Sequence, residues 1–339
     1  MRGHSTVPQP LDEHLKSQLT QGLVDIGEVI ASDVVTIISP IVPSLEHRLR
    51  QAMEGLQEHK NVVTVILDTP GGVVEVVEWT VSVLRSVCGE VIVIVPDRAM
   101  SAGTILTLSA DRIMMDHLSC LGPVDPQIER DGKLVPALSY LNQFERLNEK
   151  AQDGQLTKAE YALLNKLDLG GLYQFDQARE LSIDLLIRWL PQYKFRNWAA
   201  TETRGELVSK RMKVERARET AALLNDPEKW HSHGRATDAG APRGEVNLRI
   251  DSFEGDAGSH RAVGEYFELL RDYMHQGDLI SFVHSREYFW NERKNKDFDA
   301  ARGSGFGMGA GSILTRDGLR SRQRHSAADL PAAPGGGRV

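Results

Sequence analysis

The chain has 339 residues, a formal net charge of −7, 41% hydrophobic and 26% charged residues, proportions of a soluble globular protein with one large core and appended arms. The negative balance excludes a dominant role on nucleic acid or anionic membrane, because there is no surplus positive field to gather phosphates. Two cysteines, Cys88 and Cys120, exclude a disulfide scaffold and a metal centre built on thiolates alone. Residues 1–11 are polar with prolines, and there is no run of about eighteen uncharged apolar residues. A cytoplasmic location without a membrane span of its own is therefore expected.

Leu15, Leu19, Leu23, Ile26 and Ile30 fall at helical spacing and predict an N-terminal helical arm within residues 1–30. Asp33–Ser39 reads as the first strand. Pro43-Ser44 ahead of Leu45, Leu49, Met53 and Leu56 predicts an amphipathic helix capped by Ser44. The runs Val62–Leu67 and Val91–Val95 are apolar and mostly β-branched, as parallel strands buried on both faces are. A helix over Val74–Val87 lies between them, and a second begins at Ser101 and runs to about Ala110. Short strands at Arg112–Met115 and Ser119–Leu121 lead to Gly122-Pro123-Val124-Asp125-Pro126, a turn whose prolines stop continuation.

From Val135 to about Tyr193 the spacing is helical and predicts a layer over the active edge. Further helices are expected over Val208–Leu224 and Val263–Met274. The expected division is an arm at 1–30, an α/β core at 31–205, a mostly helical extension at 206–295 and a tail at 296–339. The tail is rich in Gly, Ala, Ser and Arg, with too little apolar content to offset ordering entropy, and is expected to be disordered.

Two loops stand out, Asp68-Thr69-Pro70-Gly71-Gly72 and Ala99-Met100-Ser101-Ala102-Gly103. Each follows a buried strand and precedes a helix. Right-handed β-α-β connections put such turns along one sheet edge, so a Gly-Gly backbone and a serine can meet there. That layout suits acyl transfer, with Ser101 as nucleophile and the N–H groups of Gly71 and Ala102 as oxyanion donors. The alternative is that Ser101 is an N-cap and Pro-Gly-Gly an ordinary turn.

Asp-Thr-Pro-Gly-Gly, Ala-Met-Ser-Ala-Gly-Thr, Ala-Asp-Arg-Ile-Met-Met-Asp and Leu-Gly-Pro-Val-Asp-Pro-Gln together resemble the serine dehydrogenase proteinase family. Its relatives are the SppA-type signal peptide peptidases and the Clp proteolytic subunit. The resemblance covers roughly residues 30–200 and implies an α/β fold of the Clp/crotonase type, with stacked β-β-α units. It also implies homo-oligomers and hydrolysis of a polypeptide substrate by the serine at position 101. No cofactor or metal is expected, and a membrane-protein partner is compatible with the relatives. Trp230–Gly234 and Asn247–Asp251 also look like segments of some family members, without assigned chemistry.

The base is where the sequence departs from Clp subunits, because their histidine position falls at Gly122-Pro123-Val124-Asp125. The SppA-like branch uses a lysine from a later helix, which must be neutral and hence desolvated. Lys166 stands among Leu163, Leu164, Leu167 and Leu169 and is the favoured candidate; Lys150 lies in a polar surround, and Lys133 follows Asp131-Gly132 in a turn. His117 is the remaining catalytic suspect, with a structural role favoured. His231 and His233 lack nearby cysteines or carboxylate pairs and are assigned no metal. Asp125, between two prolines, reads as an Asx turn. Competing functions are a crotonase-type acyl-CoA enzyme and a catalytically silent oligomeric scaffold.

Overall fold

The fold is taken from a computed structural model. It describes residues 9–294 except 57–59, 125–126, 131–132, 168, 202, 227–236, 239–247 and 256. The expected tail, Asp125, His231, His233 and Trp230–Gly234 lie outside the described residues, as does the side chain of Lys133.

In chain order the elements are α1 (Gln9–Ile30), β1 (Asp33–Ile38), α2 (Pro43–Glu54), β2 (Val62–Asp68), α3 (Val74–Val87), β3 (Glu90–Val95), β4 (Arg98–Ala99), α4 (Ala102–Leu108), β5 (Arg112–Met115) and β6 (Cys120–Leu121). A hairpin, β7 (Gln127–Arg130) and β8 (Lys133–Pro136), leads to α5 (Ala137–Gln152), α6 (Lys158–Leu164), α7 (Leu169–Gln192) and α8 (Lys210–Leu224). The described chain closes with β9 (Thr237–Asp238), β10 (Asp251–Ser252), α9 (Ala257–Gln276), β11 (Leu279–Ser285) and β12 (Tyr288–Arg293).

A seven-stranded sheet in the order β10-β5-β3-β2-β1-β11-β12 forms the centre. Strands β10, β5, β3, β2 and β1 are mutually parallel; β11 runs antiparallel beside β1, and β12 pairs antiparallel with β11 at the edge. Strand periodicity divides the side chains between two cores. Val63, Val65 and Leu67 of β2 and Val91, Val93 and Val95 of β3 face α2, α3, α4, α7 and α8. Ile66, Ile92 and Ile94 face the other way, onto α1 and α9. The apolar runs of β2 and β3 thus follow from burial on both faces.

Two expectations are corrected. α1 is packed into the core through Leu19, Leu23 and Ile26, and residues 206–295 contribute β10, β11 and β12 to the main sheet, so neither is an appendage. In addition, Ser44 does not cap α2; Val42 occupies the N-cap and Pro43 the first turn, where a missing N–H costs no helical bond.

The α1/α9 side also buries a polar chain. His284 on β11 is fully buried, with Nε2 3.3 Å from Thr20 Oγ1 and Nδ1 3.2 Å from the Tyr266 hydroxyl. The Tyr266 hydroxyl lies 2.8 Å from Thr36 Oγ1. Among the described residues no helix is long and apolar enough to cross a membrane.

Candidate active site

Strands β2 and β3 end side by side, and their turns remain joined beyond the sheet. Thr69 N–H donates to the Arg98 carbonyl at 2.9 Å and Met100 N–H to the Thr69 carbonyl at 3.0 Å. On the other flank Ile41 N–H donates to the Gly71 carbonyl at 2.9 Å and Val73 N–H to the Ile41 carbonyl at 2.8 Å. The Gly-Gly turn is therefore stitched to backbone on both sides. Gly71 has φ of 96°, which disfavours any side chain. A Cβ there would lie 2.6 Å from the Met100 carbonyl oxygen and 3.0 Å from Ser101 Cβ. The two loops singled out in the sequence are thus in direct contact.

Ser101 is a half-buried residue with φ of 51° and ψ of −114°. For a non-glycine residue this conformation costs of order 1–3 kcal/mol and persists only where the surroundings impose it. It occupies the N-cap position of α4, its carbonyl accepting from Thr104 N–H at 2.9 Å, but its side chain makes no capping bond to the helix. Such a strained strand-to-helix turn is how a nucleophilic serine is presented in other hydrolase folds. Behind it, Thr104 Oγ1 lies 2.8 Å from the Ala99 carbonyl and 2.7 Å from that of Gly122, fastening the serine turn to β6. Ala102, in the first turn of α4, is buried and its N–H has no carbonyl one helical turn back. Gly71 N–H lies 3.1 Å from Thr69 Oγ1, so it would reach an oxyanion by exchanging that partner.

The structure does not give Lys166 the apolar enclosure expected from its leucine neighbours. It is exposed in the turn after α6, where Leu163 is 59% and Tyr161 63% exposed. Its leucine neighbours do not enclose it: Leu163 faces solvent, while Leu167 turns away onto the Leu141 and Leu172 cluster. Lys150, on α5, is bound to Glu160 at 2.5 Å. Lys150, together with Thr157, pulls the Glu160 carboxyl down to about 2. His117 is exposed within a tight turn built by Asp116, whose Oδ1 accepts from Leu118 N–H and Ser119 N–H at 2.8 Å each. Asp116 is therefore occupied with the turn.

Residues 46–220, just over half of the chain, match the family described as ClpP-like SDH-type serine proteinases. The chain belongs to that family. Two similar proteins are uncharacterized proteins of Methanocaldococcus jannaschii. One is 36% identical over 141 residues, covering 39% of this chain and 48% of the relative. The other is 38% identical over 94 residues, covering 28% and 31%. The chain thus spans about half the length, or less, of these relatives. Among solved structures, a serine-to-alanine mutant of the membrane-bound stomatin-specific protease 1510-N aligns at 18% identity and a TM-score of 0.28. That alignment covers 42% of this chain and 74% of that one. A lysine-to-alanine mutant of 1510-N with a substrate peptide aligns at 23% identity and a TM-score of 0.28, covering 35% and 58%.

Within this SDH-type chain two perturbed groups escaped the sequence reading. Burial raises the Asp68 carboxyl to about 6, reinforced by Asp97 and opposed by Arg98 and Arg271. Burial also lowers the Lys194 amine to about 8, against the pull of Asp251. Lys194 interacts with Arg112, the first residue of β5, and Asp111, whereas Ser101 lies beyond the carboxyl end of the neighbouring parallel strand β3. This desolvated lysine is therefore at the opposite end of the strands from the serine. Its flanking aromatics, Tyr193 and Phe195, were the available signal.

Proposed function

We propose that the chain is a serine peptidase in which Ser101 Oγ attacks a peptide carbonyl and the N–H groups of Gly71 and Ala102 stabilise the resulting oxyanion. The observation that carries this reading is the strained Ser101 turn packed on the positive-φ Gly71, in a chain of a serine proteinase family. Such backbone donors supply a large share of acyl-transfer catalysis. In this mechanism the base is a lysine of the α5–α6 layer, with Lys166 as the assigned residue. A lysine accepts the Ser101 proton only when its amine is neutral, and that requires removal from water. Lys166 is exposed beside exposed Tyr161 and Leu163. An apolar surface of bound polypeptide or of a second copy laid over these residues would desolvate it. The exposure of Lys166 equally favours a second reading, a silent scaffold that keeps the turn geometry without a working base. Cleavage of casein by the wild-type chain but not by Ser101→Ala supports the peptidase; equal cleavage by both overturns it.

A further inference from the structure

Paired strands normally hold their loops in register by continuing the ladder, and here the ladder is interrupted. Within the sheet β2 and β3 pair Ile66 with Ile94, an offset of 28 residues. At the turns Thr69 pairs with Ala99, an offset of 30. Two extra residues therefore bulge out on the serine side, where the chain bends at Pro96-Asp97. Past the bulge the backbone pairing resumes only through Thr69, which donates to the Arg98 carbonyl and accepts from Met100 N–H, so the turns are joined at one residue rather than by a continuous ladder.

An ion pair spans this break. Asp68 ends β2 three residues before Gly71, and Arg98 opens β4 three residues before Ser101. Arg98 Nε lies 3.7 Å from Asp68 Oδ1, and the Asp68 side chain is only 16% exposed. The Asp68 carbonyl also accepts from Ser39 N–H at 3.2 Å, anchoring the residue to the end of β1. We infer that Asp68 is a positioning residue for the proposed peptidase reaction: its carboxylate, paired with Arg98, holds the glycine turn in register with the serine turn. The inference rests on the peptidase reading given above.

The charged and titratable groups around Asp68 are Asp97 in the bulge, Arg98 on β4, Arg271 on α9 and the Cys120 thiol on β6. With its carboxyl at about 6, Asp68 is ionised at neutral pH and becomes neutral in mild acid. The pair then loses its charge on one side, and the register between the turns loosens.

The test is the rate at which a fluorophosphonate labels Ser101 in the full chain, from about pH 4.5 to 8, with near-ultraviolet circular dichroism confirming that the protein stays folded. On top of the slope set by deprotonation of the lysine base, the wild-type rate should carry an extra acid limb below pH 6, up to about tenfold per pH unit and levelling toward the Asp68→Asn rate, as one further ionised group requires. Asp68→Asn should label more slowly at pH 8 and lose that acid limb. Arg98→Gln, which removes the partner cation, should label about as slowly as Asp68→Asn at pH 8 and lose the limb as well, whereas Asp97→Asn keeps the pair and should move the limb lower. An Asp68→Asn profile that overlays wild type overturns the inference. If that variant does not fold, a wild-type profile for Arg98→Gln together with an unmoved limb for Asp97→Asn overturns it just as well. A wild-type chain that never labels overturns the peptidase reading instead.

Discussion

Gly71 is packed so closely on Ser101 that a single added carbon would come within 3.0 Å of the serine Cβ and 2.6 Å of the Met100 carbonyl oxygen. The serine's surroundings are therefore backbone on that side, and only glycine permits the approach. Gly71→Ala must push the two turns apart. Its labelling or peptide turnover should fall by about 10²–10³, the effect of losing one oxyanion donor. Gly154 also has positive φ but open space around it, so Gly154→Ala should strain only its own turn and leave the rate within about twofold, on the ordinary tolerance of surface substitutions. Equal rates for Gly71→Ala and wild type would remove Gly71 from the site.

The lysine assignment is tested by charge-preserving replacement. A guanidinium keeps its proton at every accessible pH. Lys166→Arg should therefore abolish turnover, and Lys150→Arg should keep it, because arginine can still pair with Glu160 as Lys150 does. Wild-type activity should also rise with protein concentration if a second copy desolvates Lys166. Peptidase assays of both variants across a dilution series check this, and an active Lys166→Arg enzyme refutes the dyad as assigned.

His284 makes a prediction about stability. Burial lowers its imidazole to about 3, against an ordinary value of 6.5, so between these values the unfolded chain binds a proton that the folded chain does not. Stability is thus complete above pH 6.5 and is lost as the pH falls toward 3, by up to about 1.4 kcal/mol per pH unit from this group. His284→Gln has no such titration, so its deficit relative to wild type should shrink on acidification. Urea unfolding of both proteins at pH 7 and pH 4.5 measures the difference. A constant gap between them would show that His284 is not buried as a neutral ring.

The legible parts of the fold are those whose signal is local. β2, β3 and α3 appear in the sequence almost to the residue, because strands buried on both faces carry unbroken apolar runs and α3 alternates at helical period. β11 was missed for the opposite reason. It buries His284, Ser281 and Ser285, polar residues made acceptable by Thr20, Tyr266, Ser39 and Ala52 far away in the chain. No window of sequence contains those partners. β12, its edge neighbour, is partly exposed along nearly its whole length and shows no core pattern. At the site, the contact of Gly71 with Ser101 was legible from topology rules applied to two turn motifs. The surroundings of Lys166 were not, since neighbouring leucines bury a residue only when their helix turns them inward. Asp68 carries no such signal, because an aspartate ending a strand reads as an ordinary turn residue; only its neighbours across the bulge give it weight.

Whether Ser101 is a nucleophile held by its turn is read out by intact-mass analysis after fluorophosphonate treatment. The expected result is one phosphonyl adduct per chain, located on the peptide carrying Ser101, and no adduct on a folded Ser101→Ala protein. Replacing serine at a helix start costs at most about 0.5–2 kcal/mol, so that variant should remain folded. An adduct of equal yield on Ser101→Ala, or an unmodified wild-type chain under conditions that saturate other serine hydrolases, would contradict it.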